Sequence, residues 1–170
     1  MSNKFQHRNL PMLLLQSRES VMRYFRKSLK LQGLTEQQWR VIRVLNEFGE
    51  LETGKIAEET CIIAPSLSGV LERMERDDLI VRHRLSSDQR KVFVDLTPRS
   101  RELVSNISRS IDVQYEELER ELGQERLLSI YSLLDQLIAL PDPAETKVVR
   151  TRMAVKPAQK TIADKARPKK

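Results

Sequence analysis

One cysteine, two histidines and five glycines among 170 residues leave little material for several kinds of protein chemistry. Cys61 has no second thiol with which to close an internal disulfide. His7 and His83 stand in no metal-ligand spacing with Cys, Asp or Glu, and Gly33, Gly49, Gly54, Gly69 and Gly123 do not assemble into a phosphate-cradling loop. Long hydrophobic runs are missing too. Met12-Leu13-Leu14-Leu15 is followed at once by Gln16 and Arg18, far short of the roughly 20 apolar residues a membrane helix requires, and reads as helix core. No cleavable leader pattern is visible, so a cytoplasmic chain is expected, with no cofactor, no metal and no catalytic residue.

A surplus of charge is also missing from most of the chain. The formal net charge is +6 and the pI about 9.6, which invites a nucleic-acid reading. Yet residues 144–170 hold nine Lys or Arg and two acids, a net of +7, leaving 21 basic and 22 acidic residues in 1–143, a net of −1. A folded part of that composition must attract DNA through local patches. The tail, with Pro141 and Pro143 before it, Pro157 and Pro168 within it and almost no aromatic residues, cannot build a core and is expected to be disordered. It is either a solubilising extension or a source of sequence-independent phosphate attraction. With 39% hydrophobic residues, a single domain over 1–143 is expected, one that would gain from a partner surface.

What is present is helical periodicity, punctuated by one β-type segment. Leu10 to Leu31 is predicted as a helix, with a stripe of Leu14, Arg18, Val21 and Phe25 beside a second of Leu13, Ser17 and Tyr24, ended by Gly33. Thr35 reads as an N-cap, with Gln38 completing a capping box for a helix to Phe48. Thr53 is expected to cap a short helix to Thr60. After Cys61-Ile62-Ile63 comes Ala64 to Arg76, where Leu67, Val70, Leu71 and Met74 recur at helical spacing and Pro65, Ser68, Gly69, Glu72, Arg73 and Arg76 point away. These two helices form a helix-turn-helix pair.

Ile80-Val81-Arg82-His83-Arg84 then reads as an outgoing strand, Ser86-Ser87-Asp88 as a turn, and Asp88 to Thr97 as charged residues at a tip followed by an alternating return strand. Helix, strand, turn, strand makes a winged helix: a mainly α chain of about six helices with a small β-hairpin wing. Thr97 caps the next helix and Pro98 takes its first position, where a missing N–H costs nothing. Leu103, Ile107, Ile111, Leu118 and Leu122 share one side of it. The last helix, Gln124 to Leu140, is apolar at Leu127, Leu128, Ile130, Tyr131, Leu133, Leu134, Leu137, Ile138 and Leu140, a face wider than one neighbour needs. Either a second subunit covers the excess, or a monomer buries the first and last helices on one another.

The run Asp88-x-Arg90-x-x-x-Val94-x-Leu96-Thr97 resembles the wing of the MarR family, the multiple-antibiotic-resistance regulators. Leu34-Thr35-x-x-Gln38-Trp39 and Leu79-Ile80-x-Arg82 support the match, which covers roughly residues 10–140. Asp78 departs from it by standing where relatives carry a helix-ending glycine, so an Asp must make that turn. Arg18-Glu19-Ser20-Val21-Met22 together with Leu34 to Val41 looks most like the members that control homoprotocatechuate breakdown. The resemblance implies a sequence-specific repressor of an aromatic-acid catabolic operon, released from its operator by an aromatic effector. It implies helices 10–31 and 98–140 interlocking into a homodimer, with 53–96 as the DNA-binding lobe. Two-fold symmetry then calls for a palindromic double-stranded operator with half-sites roughly 10 base pairs apart. The other readings are a family member answering drugs or stress, and a protein that coats DNA without sequence preference.

Site residues follow from the same reading. Ser66 and Ser68 carry short hydroxyls at the start of the recognition helix, Arg73 is long enough for a guanine edge or a backbone oxygen, and Pro65 and Gly69 let the helix lie close to the groove. Arg90 resembles the family's minor-groove arginine and Asp88 the carboxylate that orients it; alternatively, Asp88 only shapes the turn and Arg90 is solvated. Arg82, Arg84 and Lys91 read as phosphate contacts or as a solvated basic face. Arg18, on an otherwise apolar stripe, needs a carboxylate, either from Glu19 or another acid of the protein or from a ligand. In the second case Arg18, Trp39 and Arg40 line an effector cleft, and the resemblance implies an aromatic acid such as 4-hydroxyphenylacetate as its ligand, unless Trp39 is core. Cys61, at the turn before the recognition helix, reads as a small buried hydrophobe.

Overall fold

The computed structural model describes residues 6–142 apart from Ser86 and Ser87, with the side chains of residues 85, 88 and 89 also outside the description. The tail of 144–170, the Ser86-Ser87 part of the turn and the Asp88 carboxylate therefore lie beyond the described residues. Helix α1 (Leu10–Leu31) starts at Asn9, whose Oδ1 accepts from the Met12 N–H at 3.1 Å. Helix α2 (Glu36–Phe48) starts on the expected capping box, with Gln38 N–H donating to Thr35 Oγ1 at 3.2 Å and Thr35 N–H donating to Gln38 Oε1 at 2.9 Å. Strand β1 (Leu51–Glu52), helix α3 (Thr53–Thr60), helix α4 (Ala64–Arg76), strands β2 (Ile80–Leu85) and β3 (Asp88–Leu96), and helices α5 (Pro98–Leu122) and α6 (Gln124–Ile138) follow.

Three helix ends share one closure. Gly33, Cys61 and Asp78 take left-handed φ of 69°, 50° and 56°, and the next residue returns its N–H to the carbonyl five back: Leu34 to Leu29, Ile62 to Ala57, Leu79 to Met74. In each case that next residue is a buried hydrophobe. The left-handed residue turns the chain and the following apolar side chain pins it to the core. Asp78 thus does make the turn a glycine would make, as its place in the sequence required. Cys61 corrects the expectation of a buried thiol: it occupies the turning position and is exposed, while Ile62 takes the core place.

The wing has one strand more than the sequence indicated. β1 pairs antiparallel with β3 (Leu51 opposite Val94, Glu52 opposite Phe93), giving a sheet of order β1-β3-β2. β2 and β3 run in register from Ile80 opposite Leu96 to Arg84 opposite Val92, then slip before Leu85 meets Asp88. Thr53 is not the cap of α3. Glu52 holds that place without a side-chain hydrogen bond, and Thr53 Oγ1 instead donates to the Val92 carbonyl at 3.0 Å, fastening α3 to the sheet.

One core joins α1 to α5 through the sheet: Phe25 and Leu29, Val41, Ile42 and Leu45, Ile56, then Leu67, Val70, Leu71 and Met74, Ile80, Val94 and Leu96, Ile107 and Ile111. Each large side chain buried there contributes about 1.5–3 kcal/mol. The start of α5 braces the recognition helix's far end. Thr97 Oγ1 donates to the Asp78 carbonyl at 2.8 Å, Ser100 Oγ to the Leu79 carbonyl at 2.6 Å, and Arg99 to the Asp77 carbonyl at 2.9 Å.

Residues 12–15 do not form core. Met12, Leu14 and Leu15 are exposed, as is Val21, because α1 buries only Phe25, Ser28 and Leu29 in its second half. The described residues divide into two compact units, one up to Gly123 and one from Gln124. In the second, α6 ends at Ile138, two residues before the expected Leu140, and exposes Leu128, Ile130, Tyr131, Leu133, Leu134 and Ile138. No helix among the described residues is long and apolar enough to cross a membrane, and no group of His, Cys, Asp or Glu there is placed to hold a metal ion.

Candidate nucleic-acid interface and effector cluster

Helix α4 presents one face to the core and the other to solvent. Leu67, Val70, Leu71 and Met74 are buried, and Pro65, Ser66, Ser68 and Arg73 are exposed, as the spacing required. Ser68 Oγ donates back to the Ala64 carbonyl at 3.2 Å, so its hydroxyl keeps lone pairs outward. A Cβ at Gly69 would stand 3.4 Å from Arg73 Nη1, so the glycine gives room for the guanidinium of Arg73 to lie along the helix. On the sheet Arg84, Arg90 and Lys91 are exposed, with Lys91 Nζ 3.0 Å from Glu52 Oε2. Arg82 is engaged differently: its Nε and Nη2 both donate to Glu75 of α4, and that hydrogen-bonded pair raises its pKa. It braces the wing against the recognition helix.

The α1–α2 junction carries a closed ring of charge. Arg18 donates to Glu19 Oε1 at 2.8 Å and to Glu36 Oε2 at 2.7 Å; Arg26 donates to Glu36 Oε1 at 2.6 Å and to the second oxygen of Glu19. Each arginine spans both glutamates, and each glutamate divides its oxygens between both arginines. Burial works to raise the Glu36 carboxyl, but the hydrogen bonds from Arg26 and Arg18 outweigh it and hold the pKa below the usual value. The partner that Arg18 needs is thus supplied by the protein itself. Beside the ring, a surface depression of about 400 Å³ is lined by Leu15, Gln16, Glu19, Ser20, Arg23 and Arg26.

Trp39 is half-buried and packs against the core, while Arg40, next along α2, is half-buried with Nη1 donating to the Thr60 carbonyl at 2.7 Å. Arg40 Nε is buried with no hydrogen-bond partner, an omission that ordinarily costs about 1–3 kcal/mol. Burial, and then the like charge of Arg18, lower the Arg40 pKa, with Cys61 and Glu36 opposing. Arg18 and Arg40 are therefore electrostatic neighbours, whereas neither they nor Trp39 line the depression.

This arrangement, a helix-turn-helix braced against a three-stranded wing, has known counterparts. The MarR family profile matches residues 34–92. The homoprotocatechuate degradative operon repressor of Escherichia coli is 40% identical over 134 residues, 79% of this chain and 90% of its own length. The chain belongs to the MarR family. Within the family, the HTH-type transcriptional regulator FarR of Neisseria gonorrhoeae is 38% identical over 84% of this chain and 97% of its own. A crystal structure of NadR in complex with 4-hydroxyphenylacetate superimposes with a TM-score of 0.72 at 38% identity, covering 83% of this chain and all of that one. The similarity first visible in Arg18 to Met22 and Leu34 to Val41 thus extends over most of the chain.

The sequence reading missed Glu36 and Arg26 as members of the ring, Glu75 as the partner of Arg82, and Thr60 as the partner of Arg40. Only Glu19 was considered by name for Arg18. The stripe containing Arg18 signalled that a carboxylate was needed, but Glu36 lies 18 positions away and across a helix junction.

Proposed function

We infer that this MarR-family chain is a transcriptional repressor of an aromatic-acid catabolic operon. It works as a homodimer on a palindromic operator and is released by an aromatic carboxylate. The observation that carries the reading is the 40% identity, over 90% of its length, to the homoprotocatechuate degradative operon repressor, and the NadR complex with 4-hydroxyphenylacetate supports the effector class. In this reading α4 enters the major groove with Pro65, Ser66, Ser68, Gly69 and Arg73, while Arg84 and Lys91 of the wing follow the backbone and Asp88 orients Arg90 for the minor groove. The apolar side chains that α1 and α6 leave exposed suit the two-fold partner.

The effector is read by Arg18, Trp39 and Arg40. Because Arg18 already holds two glutamates, an incoming carboxylate must take the place of one of them, and the ring opens as it binds. A ligand relieves repression only by favouring the dimer that does not fit DNA. The test is a fluorescence titration of the wild type and Arg18→Ala on a duplex selected from a random pool, against a panel of aromatic acids and drugs. The expected result is release of the wild type by phenylacetates and at least a tenfold higher ligand requirement for Arg18→Ala. Release by non-carboxylate drugs and not by phenylacetates would overturn the effector class and leave a regulator that answers drugs.

A further inference from the structure

Three apolar residues stand in the open where the recognition helix begins. Ile63, Ala64 and Pro65 are all exposed, next to the exposed Ser66, and Ile63 shows 72% of its surface to solvent. We propose that Ile63 is a specificity-determining residue of the recognition helix, reading the 5-methyl group of a thymine in each half-site. The inference rests on the groove reading above and adds to it a base and the residue that selects it.

Two local rules are broken at this residue. Ile63 is the N-cap of α4, with φ −60° and ψ 141°, and its side chain gives the helix no cap hydrogen bond. Ser, Thr, Asp and Asn stabilise a helix from that position, and isoleucine is among the poorest residues there. Burial does not compensate. Ile62 and Leu67 occupy the two positions of a hydrophobic staple and are both buried, so the core has taken the first isoleucine of the pair and left the second outside. A residue that helps neither the cap nor the core, at the leading end of the helix assigned to the groove, is explained by what it meets there.

The backbone that carries Ile63 is fixed on both sides. Before it, Cys61 turns at φ 50° and the Ile62 N–H donates to the Ala57 carbonyl at 3.3 Å; after it, the Leu67 N–H donates to the Ile63 carbonyl at 3.0 Å. A β-branched side chain on such a backbone has few rotamers, so it loses little freedom on meeting a base. In the major groove the base pairs differ in donors and acceptors, and thymine alone of the standard bases adds a methyl group. The isoleucine side chain has no hydrogen bond to offer a base or a phosphate, which leaves that methyl as the feature it can select. Ser66 and Ser68, which follow on the same helix, supply hydroxyls for the polar edges.

The experiment uses the full chain and a duplex it selects from a random pool of synthetic, unmethylated DNA, where thymine is the sole source of the 5-methyl group. Each thymine of that duplex is replaced in turn by deoxyuridine, which removes the methyl and keeps the pairing, and affinity is measured for the wild type, Ile63→Ser and Ile63→Val. At one symmetry-related pair of thymines the wild type should bind about three- to fivefold more weakly for one replacement and about ten- to twentyfold for both, the size expected for one buried methyl and its copy. Ile63→Val should keep most of that dependence. Ile63→Ser should bind the thymine and uracil duplexes equally at that pair, respond as the wild type does at every other thymine, and unfold at a higher urea concentration because serine caps the helix. A wild-type profile retained in full by Ile63→Ser would overturn the proposal, as would a lower urea midpoint for Ile63→Ser, which would make Ile63 a packing residue. A pool that stays random would overturn the sequence-specific reading and this inference with it, whereas an enriched duplex with a flat uracil profile would overturn this inference alone.

Discussion

Cations are handled in two ways in this molecule. At the α1–α2 junction Arg18 and Arg26 share two glutamates in a ring that is neutral as a whole. On the α4–sheet surface Arg73 and Arg84 enter no ion pair among the described residues, while Arg82 holds Glu75 and Lys91 holds Glu52, both exposed or half-exposed acids. In the proposed function the difference follows from what each region must meet. A surface pair is worth about 0–1 kcal/mol, so a phosphate replaces Glu52 on Lys91 at little cost and long basic side chains are kept ready for a polyanion. In the ring every charge already has two partners, so under the proposed function a ligand enters only with a carboxylate of its own and further apolar contacts. In the proposed function, one region recruits a polymer of charge and the other admits a single charge selectively.

The strongest way to break this comparison is at the wing. Arg90→Ala should weaken operator binding by about ten- to a hundredfold, the range of a well-made base or groove interaction, while light scattering shows the same assembly mass. Unchanged affinity at physiological salt would remove the wing from the recruiting surface. Truncation after Leu140 tests whether recruitment extends beyond the folded part. Affinity should fall and the salt slope flatten by about 0.9 for each phosphate that the tail neutralises, with the preferred sequence unchanged. Loss of the preference itself would give the tail a role beyond attraction.

Smaller effects separate the ring from the single pairs. Glu75→Gln removes an acid from the recruiting surface and should tighten binding to random DNA a few-fold. Glu36→Gln should do nothing of the kind and instead lower stability by about 1 kcal/mol or less in urea unfolding at neutral pH. Because Glu36 has its pKa lowered in the fold, its contribution is present above the usual glutamate pKa of about 4.3 and is lost as pH falls through the lower folded value. Wild type and Glu36→Gln should therefore converge in stability as the solution is acidified. A gap that persists in acid would mean that shape, and not charge, makes Glu36 matter.

Much of the fold was legible because its signals are local. The box of Thr35 and Gln38, the Thr97-Pro98 start of α5 and the apolar repeat of α4 all lie within a turn or two of chain, and the left-handed turn at Asp78 follows from the residue it replaces. β1 was not legible, since Leu51-Glu52 is too short to show a period and exists only by pairing with Val94 and Phe93. Thr53 could be read as a cap from its neighbours, but the Val92 carbonyl, 39 positions on, claims its hydroxyl. The same distance rule divides the candidate sites. The exposed face of α4 could be read from periodicity, whereas the ring and the Arg40–Thr60 tie join residues that only the fold brings together.

The central claim is that α4 and the wing read a defined sequence, and selection from a random duplex pool followed by footprinting tests it most directly. The account predicts an enriched palindrome with half-sites about 10 base pairs apart, protected in full and bound at least a thousandfold more tightly than random DNA at physiological salt. A pool that remains random after selection, with protection spread evenly along any duplex, would contradict it.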